Sequence, residues 1–230
     1  KYKNAETNIR LNQVGFYTKG QKIAVITAPK DKAFSLKTLS GETVYTGSVL
    51  KSKFWDQAGE HVSIIDFSTL SEPGDYYLQS GSAQSAPFSL SDVPYNNLLK
   101  AAAKTYYYNR ATTELHEKYA GIYKRPFSHP DTAVMIHASA AGDFLIAGES
   151  IATPFGWYDA GDFNKYVVNS GISTYTLLAA NEHYQNLFDT LQWNIPESNN
   201  QRADLMDEIL WNVRWMETMQ DTLDGGVYHK

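Results

Sequence analysis

Hydrophobic and polar positions follow two different rhythms along this chain. Up to about residue 90 the apolar residues come in short runs, and several alternate: Phe34, Leu36 and Thr38 stand against Ser35 and Lys37. A period of two marks a half-buried strand. Candidate strands are Ile9–Val14, Ile23–Thr27, Phe34–Leu39, Val44–Leu50, His61–Phe67, Asp75–Gln79 and Pro87–Leu90. Turn chemistry separates them at Ala28-Pro29, Ser40-Gly41, Ala58-Gly59 and Glu72-Pro73-Gly74. Short strands at this spacing read as an immunoglobulin-like β-sandwich over residues 1–91. That architecture hosts many functions and names none.

At Asp92 the period lengthens, and residues 92–230 read as all-α. Asp92 can cap a helix and Pro94 suits a first helical turn. Leu98, Leu99, Ala102, Ala103, Tyr106 and Tyr107 then recur at helical spacing. Residues 111–158 are irregular and punctuated by glycine and proline, a length of loop that is usually functional. A second helix runs from Tyr166 to about Tyr184, its apolar face given by Val168, Ile172, Tyr175, Leu178 and Ala179. Its many Ser, Thr and β-branched residues make packing rather than propensity its support. Leu205, Met206, Ile209, Leu210, Val213, Met216 and Met219 form the clearest amphipathic helix. Its acids Asp204, Asp207 and Glu208 fall where the helix dipole favours them, and a solvated face is expected for them.

Composition narrows the partners. Residues 1–90 carry 10 basic and 8 acidic side chains, whereas residues 91–230 carry 10 and 17. The acidic second half argues against nucleic acid and anionic membranes and leaves room for a neutral ligand. No apolar run approaches the ~18 residues that span a bilayer. Because the first residue is Lys1, the chain reads as a processed or recombinant form, with any leader upstream. Cysteine is absent, which removes disulfides, thiolate zinc sites and cysteine nucleophiles together. Trp 5, Tyr 16 and Phe 10 make the chain rich in rings; core packing is their ordinary use and a sugar cleft is another.

The densest chemistry lies in Gly156-Trp157-Tyr158-Asp159-Ala160-Gly161-Asp162-Phe163-Asn164-Lys165-Tyr166. Gly161 permits a left-handed backbone, so Asp159 and Asp162 can face one small volume. Like charges that close raise one pKa, and such a carboxylate suits a base acting on water. Two other readings stand beside this one: a capping or turn pair at the helix entrance, and a Ca²⁺ or Mg²⁺ site. His116, His129, Asp131 and His137 invite a metal reading as well, but they form no helical ligand pair, and loop packing is the favoured account. Inverting hydrolysis of a glycoside needs a base and an acid roughly 6.5–9.5 Å apart. Two aspartates on one turn supply only the base side.

These residues resemble a known family. Gly156 to Asp162, followed by Lys165-Tyr166-Val167-Val168-Asn169-Ser170-Gly171, is similar to the N-terminal signature of glycoside hydrolase family 9, inverting cellulases and related β-glucanases. Ile9-Arg10-Leu11-Asn12-Gln13-Val14-Gly15 resembles the opening of the immunoglobulin-like module found in one branch. Ser128-His129-Pro130-Asp131 and Asp224-Gly225-Gly226-Val227-Tyr228-His229-Lys230 resemble that branch's catalytic domain.

The resemblance implies a sandwich followed by the start of an (α/α)6 barrel, truncated, and an endo-β-1,4-glucanase activity. Exo-acting cellobiosidase, xyloglucanase and glucosaminidase are the alternatives within the family, and a non-catalytic carbohydrate-binding module is the alternative outside it. It assigns Asp162 as general base and Asp159 as its partner on the water, with His229, Tyr228 and Trp157 lining the substrate cleft. The general acid would be a glutamate beyond Lys230, leaving this chain alone inactive.

No cofactor is implied for the chemistry. Structural Ca or Zn is conceivable, but Ala111 and Ser128 stand near where the family's zinc thiolates are expected. The implied partners are a β-glucan polysaccharide and either the remaining C-terminal part of the catalytic domain or a second copy. The surface they would cover is the apolar face at Leu205, Ile209, Val213 and Met216. The implied location is bacterial, secreted or at the periplasm or cell surface.

Overall fold

A computed structural model describes residues 8–230, which fall into two compact units dividing between Leu98 and Leu99. The first contains two sheets. One, in the order β1-β3-β7-β6, joins Ile9–Arg10, Ile23–Thr27, Glu60–Asp66 and Lys53–Trp55. The other follows β2-β10-β8-β4-β5, joining Phe16–Tyr17, Phe88–Ser91, Gly74–Ser80, Ala33–Thr38 and Thr43–Ser48, with β9 (Ala83–Gln84) against β8. Neighbours are antiparallel except β10 and β2, which run parallel with Leu90 opposite Phe16.

The two inner faces meet in one core. Ile9, Ala24, Ile26, Ile65 and Phe67 come from the side of the four-stranded sheet, and Phe34, Leu36, Tyr76, Leu78, Phe88 and Leu90 from the other. Alternation does this directly: in β3 only Ala24 and Ile26 are buried, and in β4 only Phe34 and Leu36. The opening strand is shorter than its apolar pattern, pairing only at Ile9–Arg10. Asn12 then folds the chain back, accepting from the Val14 N–H at 3.0 Å and donating to the Gly15 carbonyl at 3.0 Å. Strands β2, β6 and β9 have only two or three residues, too few for a period to be legible.

The second unit is mainly helical. Helix α1 (Asn96–Tyr108) begins four residues after the Asp92 that the sequence offers as a cap. The long irregular stretch holds a one-turn helix α2 (Glu117–Ala120) and a small ribbon of β11 (Val134–Met135) and β12 (Ser150–Ile151). Helix α3 (Val167–His183), the short α4 (Gln185–Phe188) and α5 (Asp204–Thr218) complete it. Tyr107, Leu115, Trp157, Leu177, Trp193, Ile195, Leu205 and Ile209 form its core.

Three expectations are corrected here. The acids of α5 are not on a solvated face: Asp204, Asp207 and Glu208 are all buried. Asp204 accepts from the Trp193 N–H at 2.5 Å and the Ser198 hydroxyl at 2.8 Å, and Asp207 from Asn200 at 2.8 Å and Arg202 at 2.9 Å. They stitch the preceding loop to the helix. The face at Leu205 and Ile209 is packed, not open. The open apolar face belongs to α3, where Val168, Ile172 and Tyr175 are 65%, 68% and 72% exposed. That helix turns Ser170, Thr174 and Leu177 inward instead, and Asn212 of α5 donates to the Thr174 hydroxyl at 3.0 Å.

Candidate active site

The turn from Asp159 to Tyr166 closes on itself, with the Asp159 N–H donating to the Asn164 carbonyl at 2.9 Å. Its left-handed residue is Phe163, at φ 58°, whereas Gly161 does not have positive φ and has open space around it. The glycine that the backbone requires is Gly156 (φ 79°), where an added Cβ would lie 2.8 Å from the Trp215 ring. That close approach seats the signature on α5.

Asp162 is exposed and its carboxylate is surrounded by donors. Oδ1 accepts from the Asn164 N–H at 3.2 Å; Oδ2 accepts from the Asn164 amide at 3.0 Å and the Tyr166 hydroxyl at 2.9 Å. The expected rise in its pKa is reversed. The side chains of Asn164 and Tyr166, then the Asn164 N–H, hold Asp162 below the usual carboxylate range, because each bond favours the charged form. The same bond pushes the Tyr166 phenol up, so it remains a donor. Asp159 accepts from the Asn169 amide at 2.8 Å, on the first turn of α3.

Neither aspartate caps that helix. Its N-cap is Tyr166, with no side-chain bond, and the Val167 N–H donates to the His229 carbonyl at 3.0 Å. The capping alternative is thereby reduced to a turn within the site itself. The His229 ring lies edge-on to Tyr166, with centroids 5.8 Å apart.

His229 and Tyr228 both line a cavity of ≈ 870 Å³, together with Asn164, Phe163, Trp215 and Ile136. Burial, then Asp221 and Asp224, pushes the Tyr228 phenol up, and its hydroxyl has no protein partner. Asp162 is not itself on that lining; it is linked to it through Asn164, which lines the cavity, and through Tyr166, whose ring meets that of His229. Trp157 is a correction. It is only 5% exposed, and its indole N–H is spent on Glu208 at 2.7 Å, so it packs the core rather than lining a cleft.

Its partner Glu208 sits at the centre of a buried polar group. Arg110 meets Glu208 and Glu197, each at 3.0 Å, and its guanidinium lies 4.5 Å from the Trp211 ring centre. Burial opposes the Arg110 charge, but Glu208 and Glu197 outweigh it and hold Arg110 above its ordinary range. The Arg110 backbone also bridges to Trp157, so this group holds the start of the signature.

The loop histidine and aspartate take separate partners. His129 meets the Tyr158 hydroxyl at 2.8 Å and stacks on Phe163, with centroids 4.9 Å apart. Asp131 pairs with Lys165 at 2.6 Å. Ala111, near an expected thiolate position, is fully buried and offers no donor. The donor set of a zinc site does not fit these residues. Among the described residues no group of three His, Cys, Asp or Glu is placed to hold a metal ion. The sequence assigns no role to Asn164, Lys165, Tyr166 and Asn169. The available signal is their place in or beside the signature, as polar side chains two to ten residues beyond the two aspartates.

Comparison with known proteins identifies the family. Residues 4–85 match the family model for the cellulase N-terminal ig-like domain, and residues 95–230 match that for glycosyl hydrolase family 9. The chain belongs to glycosyl hydrolase family 9. It is 42% identical over 223 residues to a xyloglucan-specific endo-beta-1,4-glucanase of Bacteroides ovatus, covering 96% of this chain and 38% of that protein. Endoglucanase D of Acetivibrio thermocellus is 35% identical over 229 residues, covering 98% of this chain and 35% of the relative. A solved family 9 structure from Bacteroides ovatus superposes with TM-score 0.88 at 42% identity, covering 96% of this chain and 41% of that one. The chain thus spans well under half the length of these relatives.

Proposed function

We propose that this chain forms part of an inverting endo-β-1,4-glucanase, with Asp162 as the general base and Asp159 orienting the same water. The observation that carries this reading is the exposed Asp162 carboxylate, held ionised by Asn164 and Tyr166 beside a cavity that His229 lines. An ionised carboxylate accepts only, so it can take a proton from water as that water attacks the anomeric carbon. Asp159, fixed by Asn169, offers a second acceptor on the same turn. His229 and Tyr228 would meet the sugar. The leaving oxygen is protonated from the opposite side by a glutamate in the family's catalytic domain beyond Lys230. The chemistry requires no cofactor.

The exposed stripe of Val168, Ile172 and Tyr175 supports a partner of the same origin. An apolar face of this kind is ordinarily covered, and further helices completing an (α/α)6 barrel would cover it. A glucan polymer is too large to enter a cell, so the enzyme acts outside the membrane or at the cell surface. Among the described residues no helix is long and apolar enough to cross a membrane.

Xyloglucan is the second substrate reading, favoured by the 42% identity to a xyloglucan-specific relative. The test is hydrolysis of carboxymethylcellulose and xyloglucan by the full-length gene product, with proton NMR of the first products. Initial α-anomers from the β-glucan are expected, and the 230-residue chain alone should release none. Initial β-anomers, or turnover by the 230-residue chain alone, contradict the reading.

A further inference from the structure

Asn164 and Tyr166, the two residues whose side chains hold Asp162, flank a lysine that points the other way. Lys165 is buried at 8% exposure, and its ammonium donates to the Thr153 carbonyl at 2.6 Å and the Phe155 carbonyl at 3.0 Å. Asp131 pairs with it at 2.6 Å, and the Trp215 ring lies beneath it at 5.4 Å.

The platform it grips is itself fixed. The Phe155 N–H donates to the Thr112 hydroxyl at 2.7 Å, and the Gly156 carbonyl accepts from the Ala111 N–H at 2.8 Å and the Trp211 indole at 3.0 Å. Asp131 is tied to the same segment, its carbonyl accepting from the Thr153 N–H at 2.8 Å. A buried ammonium is costly unless its donors are paired, and these partners lie 10 to 34 residues away in sequence.

We propose that Lys165 is a positioning residue of the base. By clamping the backbone between Asn164 and Tyr166 onto the 153–156 platform, it fixes the points from which both donors reach Asp162. The inference rests on reading Asp162 as the base, but the clamp is a claim about Asp162 protonation and is measurable without turnover. Lys165 acts through the two donors and not through its own charge: the groups that set Asp162 are Asn164 and Tyr166. The other titratable groups gathered there are Asp159 on the same turn, and His229 and Lys230 across the Tyr166 ring.

The test uses the full-length gene product labelled with [4-¹³C]aspartate, the Asp162 resonance being assigned from its loss in Asp162→Asn. Lys165→Met should move the Asp162 titration to higher pH. The same substitution made in an Asn164→Ala/Tyr166→Phe background should add only a smaller shift, the part carried by the residue 164 N–H. An unmoved Asp162 in folded Lys165→Met overturns the proposal. So does a shift of undiminished size in the double-variant background, which would make the effect a through-space charge. If Lys165→Met does not fold, Asp131→Asn takes its place with the same expected direction, and an unmoved Asp162 there overturns the proposal equally. The base assignment fails by a different result: undiminished hydrolysis by Asp162→Asn, whatever Asp162 titrates.

Discussion

The two units solve the burial problem in opposite ways. The sandwich fills its core with aliphatic and aromatic side chains from alternating positions, and the one fully buried cation among its described residues, Lys22, is satisfied by the nearby carbonyls of Tyr17, Thr18 and Gly20. The helical unit buries Arg110, Glu208, Asp204, Asp207, Asn212 and Lys165 instead; Asp204 and Asp207 are paired within the adjoining loop, and the other four across long stretches of sequence. One unit is held by surface removed from water. The other is held in addition by polar groups that must find each other, and it carries the candidate site. A site built of charged and amide side chains needs a framework that fixes them in orientation, and hydrogen bonds are directional where apolar burial is not.

The sharpest way to break this contrast is to remove one member of a buried pair. Arg110→Met leaves Glu208 without its counter-charge in a site with no solvent, and should cost about 3–5 kcal/mol. Urea unfolding would read it, and a loss below about 1 kcal/mol would place the pair among those of surface strength. In the sandwich the corresponding change is Leu78→Ala, fully buried between β4 and β10 neighbours, for which a loss of about 2–5 kcal/mol is expected from transfer and cavity terms. If the unfolding of the two units is resolved, each substitution should move only its own transition.

A third prediction concerns the inverted helix. Ile172→Ser with Tyr175→Ser should leave the fold of the 230-residue chain intact, and sedimentation experiments should find it less associated than the unsubstituted chain if the open face draws two copies together. In the full-length gene product the same pair should destabilise, because the proposal has that face covered there. Equal effects in both would remove the argument for cover.

The smallest effect is one of pH. The folded Asp162 pKa is depressed, so its contribution to stability is present above the unfolded carboxylate value and is lost as pH falls through the folded value. Tyr166→Phe removes one donor and narrows that window from below. In the active enzyme the acid limb of kcat/KM should move to higher pH, and an unmoved limb would detach Tyr166 from the base.

These contrasts also explain what the sequence could and could not tell. The sandwich was legible because each core position announces itself by alternation, as at Ala24 and Ile26 in β3 or Phe34 and Leu36 in β4. The helical unit misleads where it is polar inside. The period of α3 is plain, but the apolar stripe at Val168, Ile172 and Tyr175 faces outward, because Ser170 and Thr174 meet Asn212 within. Glu208 reads as a dipole partner until Arg110, 98 residues earlier, is brought against it. The motif at Asp159 and Asp162 was visible as composition, yet its electrostatics were not. Proximity of two acids predicts a raised pKa, and the two side-chain donors that reverse it are set by a turn whose left-handed residue is Phe163 rather than Gly161. Trp157 stands in the same motif and faces the opposite way.

Asp162 and Glu208 are two carboxylates of the same unit in opposite surroundings, one exposed and one buried, and one experiment separates the roles proposed for them. Asp162→Asn and Glu208→Gln in the full-length gene product would each be measured for kcat on a β-glucan and for melting temperature. The account predicts that Asp162→Asn loses roughly 10²–10⁴-fold in kcat with its melting temperature nearly unchanged, while Glu208→Gln lowers the melting temperature first. A stable Asp162→Asn protein that retains its turnover would contradict the assignment of the base.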